Sequence, residues 1–256
     1  MPSLTPDTRV ATPLIRQRWQ SVSFVHWRYR ASDVRGLVPA AFELDTFEGD
    51  AWVSVVAFLT SFAVGGVVPL PGRRIYPQTN VRTYVRAPDG TDGLWFLALE
   101  VTNLANVLLG RPGLPYGWSE MAVDRPDGFV TYRARRRIPP TRPVASYDIA
   151  VELGSGTADD QDERTEFLTG RWHTYAKRGP VLVRFDVEHA PWRLVPAHAV
   201  VHDDALLRAV GLPAAPALPL THYSERADAA IGVGAWSQER RVSGSRLWRP
   251  TSKRAR

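Results

Sequence analysis

The sequence predicts an α+β fold that is mainly antiparallel β, with a few short helices on the outside. Three observations carry this. Extended runs alternate apolar and polar residues with period two. Asp-Gly follows Pro twice between such runs, at Pro88-Asp89-Gly90 and Pro126-Asp127-Gly128, and supplies the positive φ a tight hairpin needs. The helical segments are short and closely bounded by capping residues, Gly and Pro.

Residues 19–30 read as the first extended run, and Ser32-Asp33 as the cap of a turn that Pro39 stops. Residues 51–72 carry no charge and are long enough to span a bilayer. Ser54, Thr60, Pro69 and Pro71 interrupt them, and valine and aromatics dominate, so they read as a buried strand bent at Gly65-Gly66. The first Asp-Gly turn joins strands 81–86 and 94–101; the second joins 121–123 and 129–137. Asn103 caps a helix over 104–109. The acid-rich start of 159–168 suits a helix N-terminus. Residues 171–178 and 181–189 pair across Gly179-Pro180, with Val181, Val183, Phe185 and Val187 on one face. Asp203 caps a helix over 205–210 that Gly211 closes, and Pro213, Pro216 and Pro219 make the next stretch irregular.

The 256 residues have ordinary globular composition, 44% hydrophobic and 23% charged, with no Ser/Gly-rich linker. They divide into an N-terminal extension (1–18), a single domain (19–239) and a basic, disordered tail (240–256). There is no cysteine, which excludes disulfides, thiolate metal sites and a thiol nucleophile and fits a cytoplasmic protein. The net charge of +6 belongs to the tail: it holds seven basic residues and no acid, and removing them leaves 25 basic against 26 acidic residues. The folded body is therefore not expected to bind nucleic acid. The first twenty residues hold three Arg, three Pro and no apolar core, which does not read as a secretory signal.

No catalytic signature of high specificity is present. Gly232-Val233-Gly234 lacks the third glycine of a dinucleotide loop. His198 and His202, with His189 upstream, have no intervening Glu and read as structural histidines, so neither a metal nor a cofactor is expected. Arg133, Arg135 and Arg137 share a strand face, either solvated and paired with acids such as those in 159–166, or an anion site. Asn80, Arg82, Tyr84 and Arg86 share another, opposite Val81, Thr83 and Val85. That polar face looks outward or into a lumen; in a lumen, Arg82 would clamp a carboxylate.

Several stretches together resemble a known family: Phe24-Val25-His26-Trp27, Leu44-Asp45-Thr46-Phe47-Glu48-Gly49 with Ala51-Trp52-Val53, Asn80-Val81-Arg82-Thr83-Tyr84-Val85, Leu114-Pro115-Tyr116, Glu188-His189-Ala190-Pro191-Trp192 and His222-Tyr223-Ser224. In this order they resemble the YqjF-like family of uncharacterised bacterial proteins (domain of unknown function 2071), from about residue 19 to 236. That family is grouped by fold with acetoacetate decarboxylase. The resemblance implies an acetoacetate decarboxylase-like β-barrel or cone enclosing a small-molecule cavity. The decarboxylase uses a Schiff-base lysine activated by its surroundings. Here Tyr116 stands where that lysine is expected, and Gln78 where an acid is expected. Neither can form an imine or supply a carboxylate. Of the two lysines, Lys253 lies in the tail, and Lys177 falls on the polar face of its strand beside a turn. The expected pocket is therefore Arg82, Tyr116, Gln78, His26, Asn80 and Tyr84, walled by Trp27, Trp52 and Trp95, and the expected partner is a small, anionic organic molecule. A non-catalytic sensor, or a structural module whose barrel is filled by its own tryptophans, would use the same fold.

Overall fold

The computed structural model describes residues 3–64, 75–110, 113–156, 162–216, 218–238 and 250–251. In chain order the elements are β1 (Ile15–Tyr29), α1 (Ala31–Arg35), β2 (Glu43–Leu44), β3 (Ala51–Val64), β4 (Tyr76–Arg86), β5 (Asp92–Val101), α2 (Leu104–Gly110), β6 (Tyr116–Asp124), β7 (Phe129–Ile138), β8 (Ser146–Leu153), α3 (Glu163–Thr169), β9 (His173–Arg178), β10 (Val181–His189), β11 (Val195–Asp203), α4 (Ala205–Ala209), β12 (Leu220–Gln238) and β13 (Pro250–Thr251). Both Asp-Gly turns and the Gly179-Pro180 turn join neighbouring strands as expected, and Gly90, Gly128 and Gly179 all take positive φ. The Gly65-Gly66 bend lies outside the described residues.

The pairings close on themselves. A wall of five antiparallel strands runs β12-β1-β3-β4-β5. On one side β6-β7-β8-β11 connects β5 back to β12. On the other side β9-β10 makes the same connection. All of these pairings are antiparallel except β5–β6 and β5–β9, which are parallel. Two rings thus share one wall.

The burial pattern follows from this topology. Strands β7 and β8 alternate buried positions with exposed or half-buried ones, whereas β4 is buried at almost every residue. On the first side of the wall Val25, Trp27, Val53, Val55 and Val81 pack against Tyr132, Ile149 and Val151, and Leu206 and Leu207 of α4 seal that core. Trp27 therefore belongs to this apolar core and does not wall the polar site.

Local chemistry sets the helices, with two departures from the sequence reading. Arg30, not Ser32 or Asp33, occupies the N-cap of α1, with no side-chain cap bond. In α3, Asp162 accepts a hydrogen bond from Thr165 N at 2.8 Å, so the helix begins later than expected. Asp203 does accept from Ala205 N ahead of α4, at 2.9 Å. The N-terminal stretch is tied to the body: residues 15–18 belong to β1, Ser3 O accepts from Trp172 Nε1 (2.7 Å), and Val10 N donates to Glu188 (2.7 Å). No helix among the described residues is long and apolar enough to cross a membrane.

Candidate polar site on the second face of the wall

The side chains that alternate with the apolar core point to the other side of the wall. There β4 presents Gln78, Asn80, Arg82 and Tyr84, all buried. Strand register sets their neighbours. His26 of β1 pairs with Ser54 of β3, and Ser54 pairs with Arg82 of β4, so the three stand in one row. Phe24 pairs with His222 of β12, with Ser224 two residues on. The last turn of α3 closes over the row through the Leu168 carbonyl, and Trp52, Tyr84, Leu94, Phe167 and Leu168 form an apolar cluster beside it.

A hydrogen-bond chain runs along the row. His26 Nδ1 lies 2.6 Å from Ser54 Oγ, and Ser54 Oγ lies 2.6 Å from the Tyr84 hydroxyl. Tyr84 donates to Leu168 O at 2.9 Å, and Arg82 donates to the same carbonyl at 3.1 Å. The Arg82 guanidinium also lies over the Phe24 ring, 5.6 Å from its centroid. Among the described residues no acid pairs with Arg82. Its neighbour Arg171 is neutralised instead, by Asp45 at 2.7 Å and Asp92 at 3.1 Å, and rests on the Phe167 ring.

This face of the wall carries several buried polar atoms with no hydrogen-bond partner: His26 Nε2, Gln78 Oε1, Asn80 Oδ1, Arg82 Nε, His222 Nδ1 and Ser224 Oγ. Leaving such groups unpaired costs about 1–3 kcal/mol each, so their clustering marks a place built for something other than packing. The electrostatics agree. Burial lowers the Arg82 pKa. Burial, then His222 and Arg82, hold His26 well below the usual imidazole range. Burial likewise lowers His222, and brings His189 down to about 4.

Not every expected residue meets here. Tyr116 opens β6 and pairs with Leu99, which pairs with Asn80, so it lies in the Asn80 row but two strands from it. Burial raises its phenol pKa. Trp95 packs with Phe42 and Tyr175 in a separate cluster, so it does not wall the site. Lys177 pairs with Leu182, and it shares a face of β9 with His173 and Tyr175. That face pairs with the Asp186 side of β10, opposite the side carrying His189, so Lys177 points away from Arg82. Ser54, His222, Ser224 and the Leu168 carbonyl were not singled out as site groups. His222 and Ser224 alternate along β12 within one of the stretches that carry the family resemblance, and Ser54 interrupts an otherwise apolar run.

Other expectations resolve simply. Among the described residues, Arg133 and Arg137 pair with Asp124 and Glu120 of the adjoining strand. His198 and His202 are exposed on β11, and His189 packs against Trp19, Trp172 and Trp192. Among the described residues, no group of three or more His, Asp or Glu is placed to hold a metal ion. An open groove of about 940 Å³ lies between the N-terminal stretch, the start of β1, the ends of β3 and β10, and the middle of β12. His189 lines it, but none of the buried unpaired groups named above does.

Comparison with known proteins agrees with this architecture. Residues 16–228 match DUF2071, described as an uncharacterized conserved protein. The uncharacterized protein YqjF of Bacillus subtilis (strain 168) is 30% identical over 218 residues, covering 84% of this chain and 89% of YqjF. Among solved structures, an acetoacetate decarboxylase-like enzyme from Sphingomonas wittichii RW1 superposes with TM-score 0.59 at 15% identity, covering 96% of this chain and 95% of that one. The enduracididine biosynthesis enzyme MppR, complexed with pyruvate, does so with TM-score 0.61 at 13% identity, covering 89% and 92%. The closed, mostly antiparallel sheet is thus the acetoacetate decarboxylase-like fold, and the chain belongs to the DUF2071 family.

Proposed function

We propose that the polar site on the second face of the wall binds a small organic carboxylate, with Arg82 as its anchor and without imine chemistry. One observation carries this reading: Arg82 is a buried cation, 8% exposed, with no acidic partner among the described residues and with unpaired polar atoms on the same face of the wall. A guanidinium in that setting is completed by a carboxylate, which it receives through two parallel hydrogen bonds. The Phe24 ring beneath it and the Trp52 cluster beside it supply apolar wall. The pyruvate complex of MppR shows that a protein of this fold takes a small carboxylate. Tyr116 and Gln78 rule against the lysine route, because neither supplies an amine or a carboxylate.

Isothermal titration with acetate, propionate, pyruvate and lactate tests the proposal. We expect saturable binding by wild-type protein and at least about a hundredfold weaker binding by Arg82→Met. Unchanged affinity in a folded Arg82→Met protein, or no binding of any of the four, overturns it.

A further inference from the structure

The hydrogen-bond chain at the site fixes the position of a proton. Its terminal acceptor is the Leu168 carbonyl, which has no hydrogen to give. Tyr84 has one proton, and the 2.9 Å contact with Leu168 O uses it. The 2.6 Å contact between Ser54 and Tyr84 must then be filled by the Ser54 proton. Ser54 has no second proton for His26, so the 2.6 Å contact between them requires His26 Nδ1 to carry the hydrogen. The opposite direction would leave Tyr84 and Leu168 facing each other as two acceptors. Arg82, lying beside the Tyr84 oxygen, can only donate and supports the same direction.

Nδ1 being protonated, the other nitrogen of a neutral His26 ring is a bare lone pair. The surroundings keep the ring neutral: it is fully buried, with Arg82 and His222 nearby. Nε2 is also among the buried atoms with no partner. The His26 ring stacks 6.1 Å from Phe24, the ring on which the Arg82 guanidinium rests, and lies 5.6 Å from His222. A fixed acceptor and a fixed cation therefore border the same aromatic floor.

We propose that this pairing selects a carboxylate that also carries a hydroxyl, a 2-hydroxy acid, with the carboxylate on Arg82 and the hydroxyl donating to His26 Nε2. The inference rests on the carboxylate reading above and adds what the second group of the ligand must be. A 2-oxo acid presents an acceptor to Nε2, so two lone pairs meet; an unsubstituted acid leaves Nε2 unpaired. Sites built to pair a hydroxyl reject analogues that lack it, because their own buried group is left unsatisfied.

Two measurements test this. The first needs no ligand: long-range ¹H–¹⁵N correlation on the wild-type protein reads the His26 tautomer. We expect the proton on Nδ1, and a proton on Nε2 overturns the proposal. The second compares lactate with propionate and pyruvate by calorimetry. We expect lactate to bind about tenfold tighter than either, the effect of one buried hydrogen bond. His26→Asn keeps a donor toward Ser54 but has no atom at Nε2, and should bring lactate down to the propionate value. Equal affinities for the three acids, each lost in Arg82→Met, overturn the hydroxyl selection and leave the carboxylate reading standing. No binding of these three or of acetate overturns both.

Discussion

Arg82 and Arg171 are buried cations at the same site, and only Arg171 is neutralised by carboxylates. Both flank Tyr84: Arg171 lies 5.1 Å from its ring centroid, and Arg82 shares with the Tyr84 hydroxyl the Leu168 carbonyl. The difference separates a structural cation from one left open, and it predicts opposite responses to substitution. Arg171→Met strands Asp92 and leaves Asp45 with Arg86 alone, and should cost about 3–5 kcal/mol in denaturant unfolding. Arg82→Met removes an unpaired buried charge and should stabilise the ligand-free protein by on the order of 1 kcal/mol. Destabilisation by both variants alike would contradict the distinction.

Ser54→Ala breaks the chain between His26 and Tyr84. It leaves His26 Nδ1 without its acceptor and should cost about 1–3 kcal/mol. It also frees the ring to exchange tautomers, so the His26 ¹⁵N signals should shift toward a mixture. A lone Nδ1–H tautomer in this variant would mean that something other than Ser54 holds the proton.

Stability should fall with acid in a defined window. His26, His189 and His222 have lowered folded values, whereas the unfolded chain binds these protons near pH 6.5. The unfolded state therefore takes up protons first, and the contribution present above pH 6.5 is lost as pH falls toward 5, by up to about 1.4 kcal/mol per unit for each group. Denaturant unfolding at pH 7, 6 and 5 should show the decline; a flat profile would refute it.

His173 works in the opposite sense. Burial alone would push it down, but hydrogen bonds to Asp186 at 2.9 Å and to Asp7 of the N-terminal stretch at 3.0 Å raise it. Its charged form adds stability below pH 6.5, and that contribution disappears as pH rises through the raised value. Asp7→Asn should therefore lower the melting temperature at pH 6 and have little effect at pH 9. An equal loss at both would show that the carboxylate acts through packing rather than charge.

Borohydride with acetoacetate should leave the protein mass unchanged. Tyr116 stands where the lysine of the related decarboxylases is expected, and Lys177 faces away from Arg82. An adduct on Lys177 by mass spectrometry would overturn this.

The strands that flank the three turns, those turns and the polar face of β4 were legible in the sequence, whereas β8 and β12 carried no turn signal of that kind. Period two and Asp-Gly are local signals, and they place Arg82 opposite Val81 without reference to the rest of the chain. Whether that face meets water was not legible, because a solvated face and a polar interior give the same alternation. The row of His26, Ser54 and Arg82 depends on register between strands far apart in sequence, which no local pattern encodes. Ser54 sits in a run that reads as apolar core. Trp27 and Trp95 were grouped with the pocket by residue type, yet parity along each strand sent them to other cores. The partners of Arg133 and Arg137 came from the register of the β6–β7 hairpin, which places Asp124 and Glu120 within reach.

A wall that serves two rings has a consequence for variation. On β7 and β8 every second residue faces outward, and substitutions there should pass with little effect. Along the middle of β1, β3 and β4 the residues that avoid one interior enter the other, and almost none reaches solvent. A library of single variants should therefore show tolerance with period two on the outer strands and almost none along those three. New specificities in this family would then be reached more readily through α3 and β9–β10, which close over the site, than through the strands that form its floor.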